Sequence, residues 1–324
     1  MNESIENKIK NIYNDVNENI TVRDTEKYKI RMNKLIVMQR MPLELKIDKT
    51  IKVIEDAIYE CGKDFIYISY SGGKDSTVLS HIIRTKYPNI LHIFSNTTNE
   101  YPETIEHIEW EKKFNNMNLI TVLPYNKKGE CMNFKKVVEK YGYPMFSKEV
   151  ACAIRTYRRA KSEITRKNAY EYIERNFKKY IDYINYNISD KCCDVLKKRP
   201  IKSVEKKLGL KGVFIGTLAK ESRRRTNDWI KYGCNFVSKE TLISKPLSIW
   251  TEDDIYEYIE RKNIKISNLY SMGYTRNGCM YCGFGVHLET ENNRFQKLKE
   301  THPKAYNYLI DNFKDILNEC GIIY

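Results

Sequence analysis

The chain has 324 residues, 41% of them hydrophobic, and a formal net charge of +14 from 56 Lys and Arg against 42 Asp and Glu. That length allows one large domain or two modest ones. No apolar run approaches membrane-spanning length, and Met1-Asn-Glu-Ser-Ile-Glu-Asn lacks the apolar core of a secretory signal, so a cytoplasmic protein without a membrane partner is expected. The positive charge favours polyanionic partners, and nine cysteines in a reducing compartment argue for metal ligation or packing rather than a disulfide framework.

Residues 3–60 read as helical, with a basic stretch from Tyr28 to Arg40, a break at Met41-Pro42, and an amphipathic helix through Ile51, Val53, Ile54 and Ile58. Strand 65–70, helix 75–86, strand 90–95, helix 102–116 and strand 119–123 follow. This alternation predicts the α/β class with a doubly wound, mostly parallel sheet. Ligands of such sheets bind at the carboxyl ends of the strands. The Ser71 loop and the segment Ser95, Asn96, Thr97, Thr98, Asn99 both lie at strand ends and are expected to face one site.

Residues 125–190 depart from this rhythm as a helical, basic, Tyr-rich insertion with Arg155, Arg158, Arg159, Lys161, Arg166 and Lys167. It suits either a nucleic-acid or nucleotide-binding cap or a solvated helix face. The core pattern resumes with helix 193–207, strand 212–216, helix 221–231, and apolar segments at 234–237 and 242–246. Thr251 is a good N-cap for a helix with an acidic first turn. A loop-rich stretch over 267–290 precedes helices at 291–300 and 303–319, and no internal repeat is found. The expected organisation is a helical extension over 1–60, a nucleotide-binding α/β core over 61–250 that carries the insertion, and a helical, Cys-rich region over 251–324.

At Ser71, Gly72, Gly73, Lys74, Asp75, Ser76 and Thr77 an apolar strand pattern stops at a turn and helical spacing begins through Val78, Leu79, Ile82 and Ile83. Two glycines let backbone N–H groups approach an anion, and the helix start adds its positive dipole end. Ser71, Ser76 and Thr77 supply hydroxyls and Lys74 a mobile charge, so phosphate is expected here. The spacing fits neither Gly-x-x-x-x-Gly-Lys-Ser/Thr nor Gly-x-Gly-x-x-Gly.

Cys192 and Cys193 are adjacent, and Cys279 and Cys282 form a Cys-x-x-Cys. Four thiolates in two pairs match either zinc or a 4Fe–4S cluster. Adjacent cysteines point differently along a backbone, which a cubane accommodates better than a single tetrahedral ion, so iron–sulfur is favoured over zinc. Cys152 is flanked by Arg155, Arg158 and Arg159, whose charges suit a thiolate. Cys61, Cys131 and Cys234 look structural, as do His287 and His302.

The Ser-Gly-Gly-x-Asp-Ser of residues 71–76 resembles the PP-loop of the ATP-pyrophosphatase superfamily, which implies the PP-loop, adenine-nucleotide α-hydrolase-like fold and cleavage of ATP between its α and β phosphates. Cys192-Cys193-x-x-x-Lys197-x-x-Pro200 followed by Cys279-x-x-Cys282 resembles the iron–sulfur adenylyl-sulfate reductases of the phosphoadenosine phosphosulfate (PAPS) reductase family. Gly216 to Arg225 resembles that family's Gly-x-Arg-x-x-Glu-Ser-x-x-Arg anion site, with Leu218 where Arg is usual. Glu319, Cys320, Gly321 and Ile322 match the family's nucleophilic cysteine context, but the histidine that follows there is missing.

The resemblance implies two reactions. In one, ATP with Mg²⁺ adenylates an acceptor, tRNA or DNA, that then receives sulfur from a donor. In the other, Cys320 attacks adenylyl sulfate or PAPS, sulfite and AMP or PAP result, and a thioredoxin-like reductant completes the cycle. The reductases usually have a degenerate loop, and the intact loop here favours sulfur transfer.

The assignment expected has Ser71, Gly72, Gly73 and Ser76 on pyrophosphate, with Lys74 and Asp75 catalytic. Ser95, Asn96 and Thr97 would contact adenosine. Gly216, Glu221, Ser222, Arg223 and Arg225 would line the phosphates or acceptor. A non-catalytic nucleotide-binding subunit of a sulfur-modification assembly, and a homo-oligomer, stay open.

Overall fold

The computed structural model describes residues 25–289 and 292–324; the helix expected before residue 25 lies outside the described residues. Strands β1 (Ile66–Tyr70), β2 (Leu91–Ser95), β3 (Leu119–Val122), β5 (Gly212–Ile215), β6 (Asn235–Ser238) and β7 (Thr241–Ser244) form a six-stranded sheet in the order β3-β2-β1-β5-β7-β6. The short strands β4 (Met145–Phe146) and β8 (Gly283–Phe284) make a separate parallel pair. In the large sheet β1 runs parallel to β2 and β5, and β5 runs parallel to β7. At the edge, β6 runs antiparallel to β7. The expected doubly wound, mostly parallel class holds.

The apolar segments after Cys234 close as a hairpin rather than two separate pieces. Lys239 and Glu240 form its two-residue tip, both at positive φ (51° and 67°), the backbone twist that tight hairpins require.

The chain divides into two compact units: residues up to 94 with 106–120 and 205–267, and residues 95–105 with 121–204 and 268–324. The first unit holds most of the sheet. Helices Thr25–Gln39 and Leu43–Cys61 pack Leu35, Leu43, Ile54 and Ala57 into the same apolar cluster as Ile66, Ile68 and Phe214. A buried pair, Lys46 Nζ to Asp254 Oδ2 at 2.6 Å, fastens helix Leu43–Cys61 to the start of helix Glu252–Lys262. Asp254 also accepts from the Thr251 N–H and hydroxyl at 2.6 and 2.9 Å, completing the capping arrangement expected at Thr251.

In the second unit, helices Phe134–Tyr141, Lys148–Arg159 and Glu163–Phe177 begin at Asn133, Ser147 and Ser162, whose side chains each accept a first-turn N–H. Together with helices Arg294–Thr301 and Pro303–Glu319 they bury Phe134, Tyr143, Ile154, Phe295 and Phe313 in one cluster. The helix after Ser189 opens at Lys191–Cys193, passes through a π turn over Asp194–Lys198, and continues as Arg199–Leu208. Among the described residues no helix is long and apolar enough to cross a membrane.

Candidate functional site

The Ser71 loop joins β1 to helix Lys74–Arg84, as its residue pattern implies. Gly72 has φ +70°, a region that favours glycine, and Gly73 is the helix N-cap. The loop is cross-braced by its own serines. Ser71 N–H donates to Ser76 Oγ at 3.3 Å, Gly73 N–H donates to Ser71 Oγ at 3.3 Å, and the Ser76 hydroxyl donates to Gly73 O at 2.9 Å.

Lys74 is buried, with Nζ 3.0 Å from Glu252 Oε1 and 3.7 Å from Asp75 Oδ1. It also lies 5.6 Å from the Tyr256 ring centroid. Asp75 Oδ1 is buried and has no hydrogen-bond partner. Burial pushes the Asp75 carboxyl above the usual range; Lys74 opposes the rise, Glu252 adds to it, and Arg225 opposes it again. The Lys74 ammonium stands beyond hydrogen-bond distance of this buried oxygen, so a bound cation or donor would compensate it more fully.

Gly216 closes the back of this loop. A Cβ there would come within 2.9 Å of Asp75 O and 3.1 Å of Ser76 Cα, so the end of β5 touches the loop through bare backbone. After Gly216, Leu218 is buried in the apolar cluster, which accounts for a leucine where the family motif has arginine. Glu221 accepts the Leu218 N–H at 2.9 Å and pairs with Arg225. Ser222 caps helix Arg223–Tyr232, and Arg223 and Arg224 are exposed. The first unit therefore brings together Ser71–Ser76, Gly216 and Arg225. It adds Glu252 and Tyr256, which the sequence pattern did not single out; the acidic first turn after Thr251 was the available signal.

Ser95, Asn96 and Thr97 belong to the second unit. Ser95 Oγ donates to Leu196 O at 2.9 Å. Thr97 donates to Glu100 through its N–H at 2.9 Å and its hydroxyl at 2.7 Å, and its Oγ1 lies 3.7 Å from Cys279 Sγ. Ser95 and Thr97 thus lie against the cysteine-bearing segments of their own unit, whereas the Asn96 N–H donates to Val122 O at 2.9 Å and its Oδ1 accepts the Thr98 N–H at 2.8 Å.

Cys192, Cys193, Cys279 and Cys282 lie within electrostatic reach of one another. The Cys192 thiol donates to Cys193; that bond raises Cys192 and holds Cys193 below the ordinary thiol range, against burial and with help from Lys148, Lys197 and Lys198. Burial and then Cys279 push Cys282 up to about 11. Lys197 donates to Cys279, and its ammonium is stabilised first by that sulfur, then by Glu100 and Cys193. Among the described residues no three Cys, His, Asp or Glu side chains are spaced to hold a single metal ion. The donor set itself, four soft thiols backed by lysines, suits an anionic thiolate cluster.

Cys320 sits at the end of helix Pro303–Glu319, inside the apolar cluster of the second unit. Burial, then Glu319, pushes its thiol up to about 12, so it is protonated at neutral pH. These are the surroundings of a packed thiol, not of an activated nucleophile. His302 lies 3.1 Å from Glu103 and His287 lies 2.9 Å from the Tyr180 hydroxyl, so both have partners that the sequence did not disclose.

A family model described as the phosphoadenosine phosphosulfate reductase domain matches residues 65–148 and 145–283. The chain belongs to that family. The matched region of this PAPS reductase family member contains the Ser71 loop, both cysteine pairs and the Gly216–Arg225 segment, whereas Cys320 lies beyond it.

An uncharacterized protein of Methanocaldococcus jannaschii is 24% identical over 272 residues, spanning 83% of this chain and 53% of that protein. An adenosine 5′-phosphosulfate reductase of Oceanobacillus iheyensis is 35% identical over 96 residues, 29% of this chain and 37% of its own. The chain spans about half the length of the first curated relatives it matches. The crystal structure of PAPS reductase from Candida auris in its phosphate complex aligns with 81% of this chain and 98% of its own, at 16% identity and a TM-score of 0.45.

Proposed function

We propose that this PAPS reductase family member is an ATP pyrophosphatase that adenylates an acceptor, nucleic acid being the favoured class, and passes sulfur to it. The observation that carries this reading is the complete, serine-braced loop with buried Lys74 and, at its helix start, a buried Asp75 Oδ1 that makes a 3.7 Å ion pair with Lys74 but no hydrogen bond. A nucleotide sulfate has no β,γ-pyrophosphate to fill such a cradle.

An acceptor oxygen attacks the α-phosphorus of ATP, the bond to the bridging oxygen breaks, and pyrophosphate leaves with that electron pair. The backbone of Gly72 and Gly73, with Ser71 and Ser76, receives pyrophosphate. Lys74 offsets its developing charge, and Asp75 holds Mg²⁺ directly or through water. Gly216, Glu221, Ser222, Arg223 and Arg225 serve the phosphates or the acceptor. A hydrosulfide donor then attacks the atom that bears the adenylated oxygen, and AMP leaves with that oxygen and the electron pair of the broken bond.

Cys192, Cys193, Cys279 and Cys282 would hold a 4Fe–4S cluster, favoured over zinc by the paired thiols and the lysines around them. When bound, it supplies iron able to ligate sulfur. The residues around it keep their own tasks: the Lys197, Lys148 and Lys198 charges would offset the thiolates.

The competing reductase reading needs a reactive thiolate at Cys320, and its burial weighs against one. The test uses anaerobically purified protein. Pyrophosphate and AMP formed from ATP and Mg²⁺ support the proposal; sulfite formed from adenylyl sulfate or PAPS with thioredoxin, with ATP inert, would replace it by the reductase.

A further inference from the structure

The basic helices of the second unit do not carry their charge uniformly. Lys135 pairs with Glu139 and Lys167 with Glu171, each one helical turn on, the arrangement of a solvated surface. Arg155 points to Asp190 at 2.7 Å and to Cys152 at 3.2 Å. Arg158 and Arg159 differ: among the described residues neither meets a carboxylate.

Arg158 Nη1 donates to Asn187 Oδ1 at 2.9 Å, and Arg159 Nη2 donates to Lys140 O at 2.6 Å, so neutral acceptors hold both while leaving their charge uncompensated. Burial, and then the Arg159 charge, makes the Arg158 cation harder to hold. Two cations approach the Tyr141 ring, the Arg159 guanidinium at 5.3 Å and Lys140 Nζ at 5.4 Å from its centroid. The backbone beneath is fixed. Gly142 has φ +110°, a Cβ there would lie 2.7 Å from Asn187 O, and Tyr143 N–H donates to that same oxygen at 2.7 Å. Lys161 and Arg166 are exposed around the turn into helix Glu163–Phe177.

We propose that Tyr141, Arg158, Arg159 and Lys161 form a surface that binds the phosphodiester backbone of a nucleic acid. The proposal rests on the function above and names where its acceptor docks. Held guanidinium groups with N–H donors to spare suit phosphate oxygens, and the Tyr141 ring packs beside Arg159 and Lys140 at this patch. Carboxylate-paired lysines would not leave this charge available.

Fluorescence anisotropy of the full chain against labelled tRNA, duplex DNA and single-stranded DNA tests the assignment over a salt series, with anionic vesicles as a further arm. The Arg158→Gln/Arg159→Gln double variant should weaken binding about tenfold or more and lower the salt slope by roughly one for each phosphate it no longer neutralises. Lys161→Gln/Arg166→Gln, on exposed residues that folding does not need, should weaken it in the same direction. Lys167→Gln and Lys74→Ala should bind as the wild type does. Preference for tRNA or for DNA identifies the source of the phosphodiester.

No binding at low salt, unchanged affinity in both double variants, or a stronger dependence of vesicle binding on the same residues would overturn the surface. Pyrophosphate release from ATP, measured on the same wild-type protein, separates the two readings. Pyrophosphate release without nucleic-acid binding defeats the surface alone, and nucleic-acid binding at these residues without pyrophosphate release defeats the pyrophosphatase alone.

Discussion

Lys74 Nζ lies 3.0 Å from Glu252 Oε1, so the lysine of the loop is steadied by the first turn of a helix far along the chain. Glu252 is more than half exposed, and an ion pair of that kind contributes about 0–1 kcal/mol to stability. Its weight should therefore fall on the position of Lys74. Lys74→Ala is expected to lower pyrophosphate release by about 10²-fold or more. Glu252→Gln should cost less than about tenfold and leave the melting temperature nearly unchanged. Steady-state kinetics with calorimetry on both variants checks this; equal losses would place Glu252 in the chemistry itself.

Gly216 meets the loop through backbone, and backbone cannot yield as a side chain can. Gly216→Ala should destabilise the protein by about 1–3 kcal/mol, as overpacking does, and raise the KM for ATP by moving Asp75 and Ser76. Urea denaturation and kinetics would show both effects. A variant with unaltered stability would mean that β5 and the loop have room to part.

The Asp75 carboxyl is held above its ordinary range by burial. A raised carboxyl pKa gives stability that is complete below the unfolded value of about 4 and is lost as pH rises through the folded value. Asp75→Asn should thus melt higher than wild type at pH 7, and the gap should close as pH falls toward about 4. The same variant should lose Mg²⁺-dependent turnover. Melting curves across that window decide it, and a destabilised Asp75→Asn at pH 7 would contradict the assigned environment.

The strand, turn and helix at Ser71 were legible because the apolar period changes from two to that of a helix at a pair of glycines. Thr251 was legible because a cap and its acidic partner are three residues apart. Pairing of Met145–Phe146 with Gly283–Phe284 was not: strands of two residues carry no period, and their meeting depends on tertiary packing. Glu252 was hidden for a related reason, since sequence shows a first-turn acid but not the lysine it faces. At Cys320 the local motif and the amphipathic helix pointed in opposite directions, and the side chain lies buried at the end of that helix.

Cys320→Ala should leave pyrophosphate release within about twofold of wild type, with a stability cost of roughly 1 kcal/mol for the small cavity. Native-state alkylation should spare Cys320 until the protein unfolds. Rapid modification with loss of activity would restore it as a nucleophile.

Cys279→Ser should remove any iron–sulfur visible absorbance of anaerobically purified protein and release Lys197 from its sulfur partner. Iron and sulfide analysis of wild type and variant checks the cluster. A colourless wild type with one equivalent of zinc would contradict it.

The most direct test of the central claim is the product of ATP turnover. Anaerobic protein is incubated with ATP and Mg²⁺, with and without tRNA or DNA, and pyrophosphate and AMP are measured against the Lys74→Ala variant. Pyrophosphate and AMP are expected, increased by nucleic acid and lost with Lys74. Inert ATP, with sulfite released from adenylyl sulfate or PAPS, would contradict it.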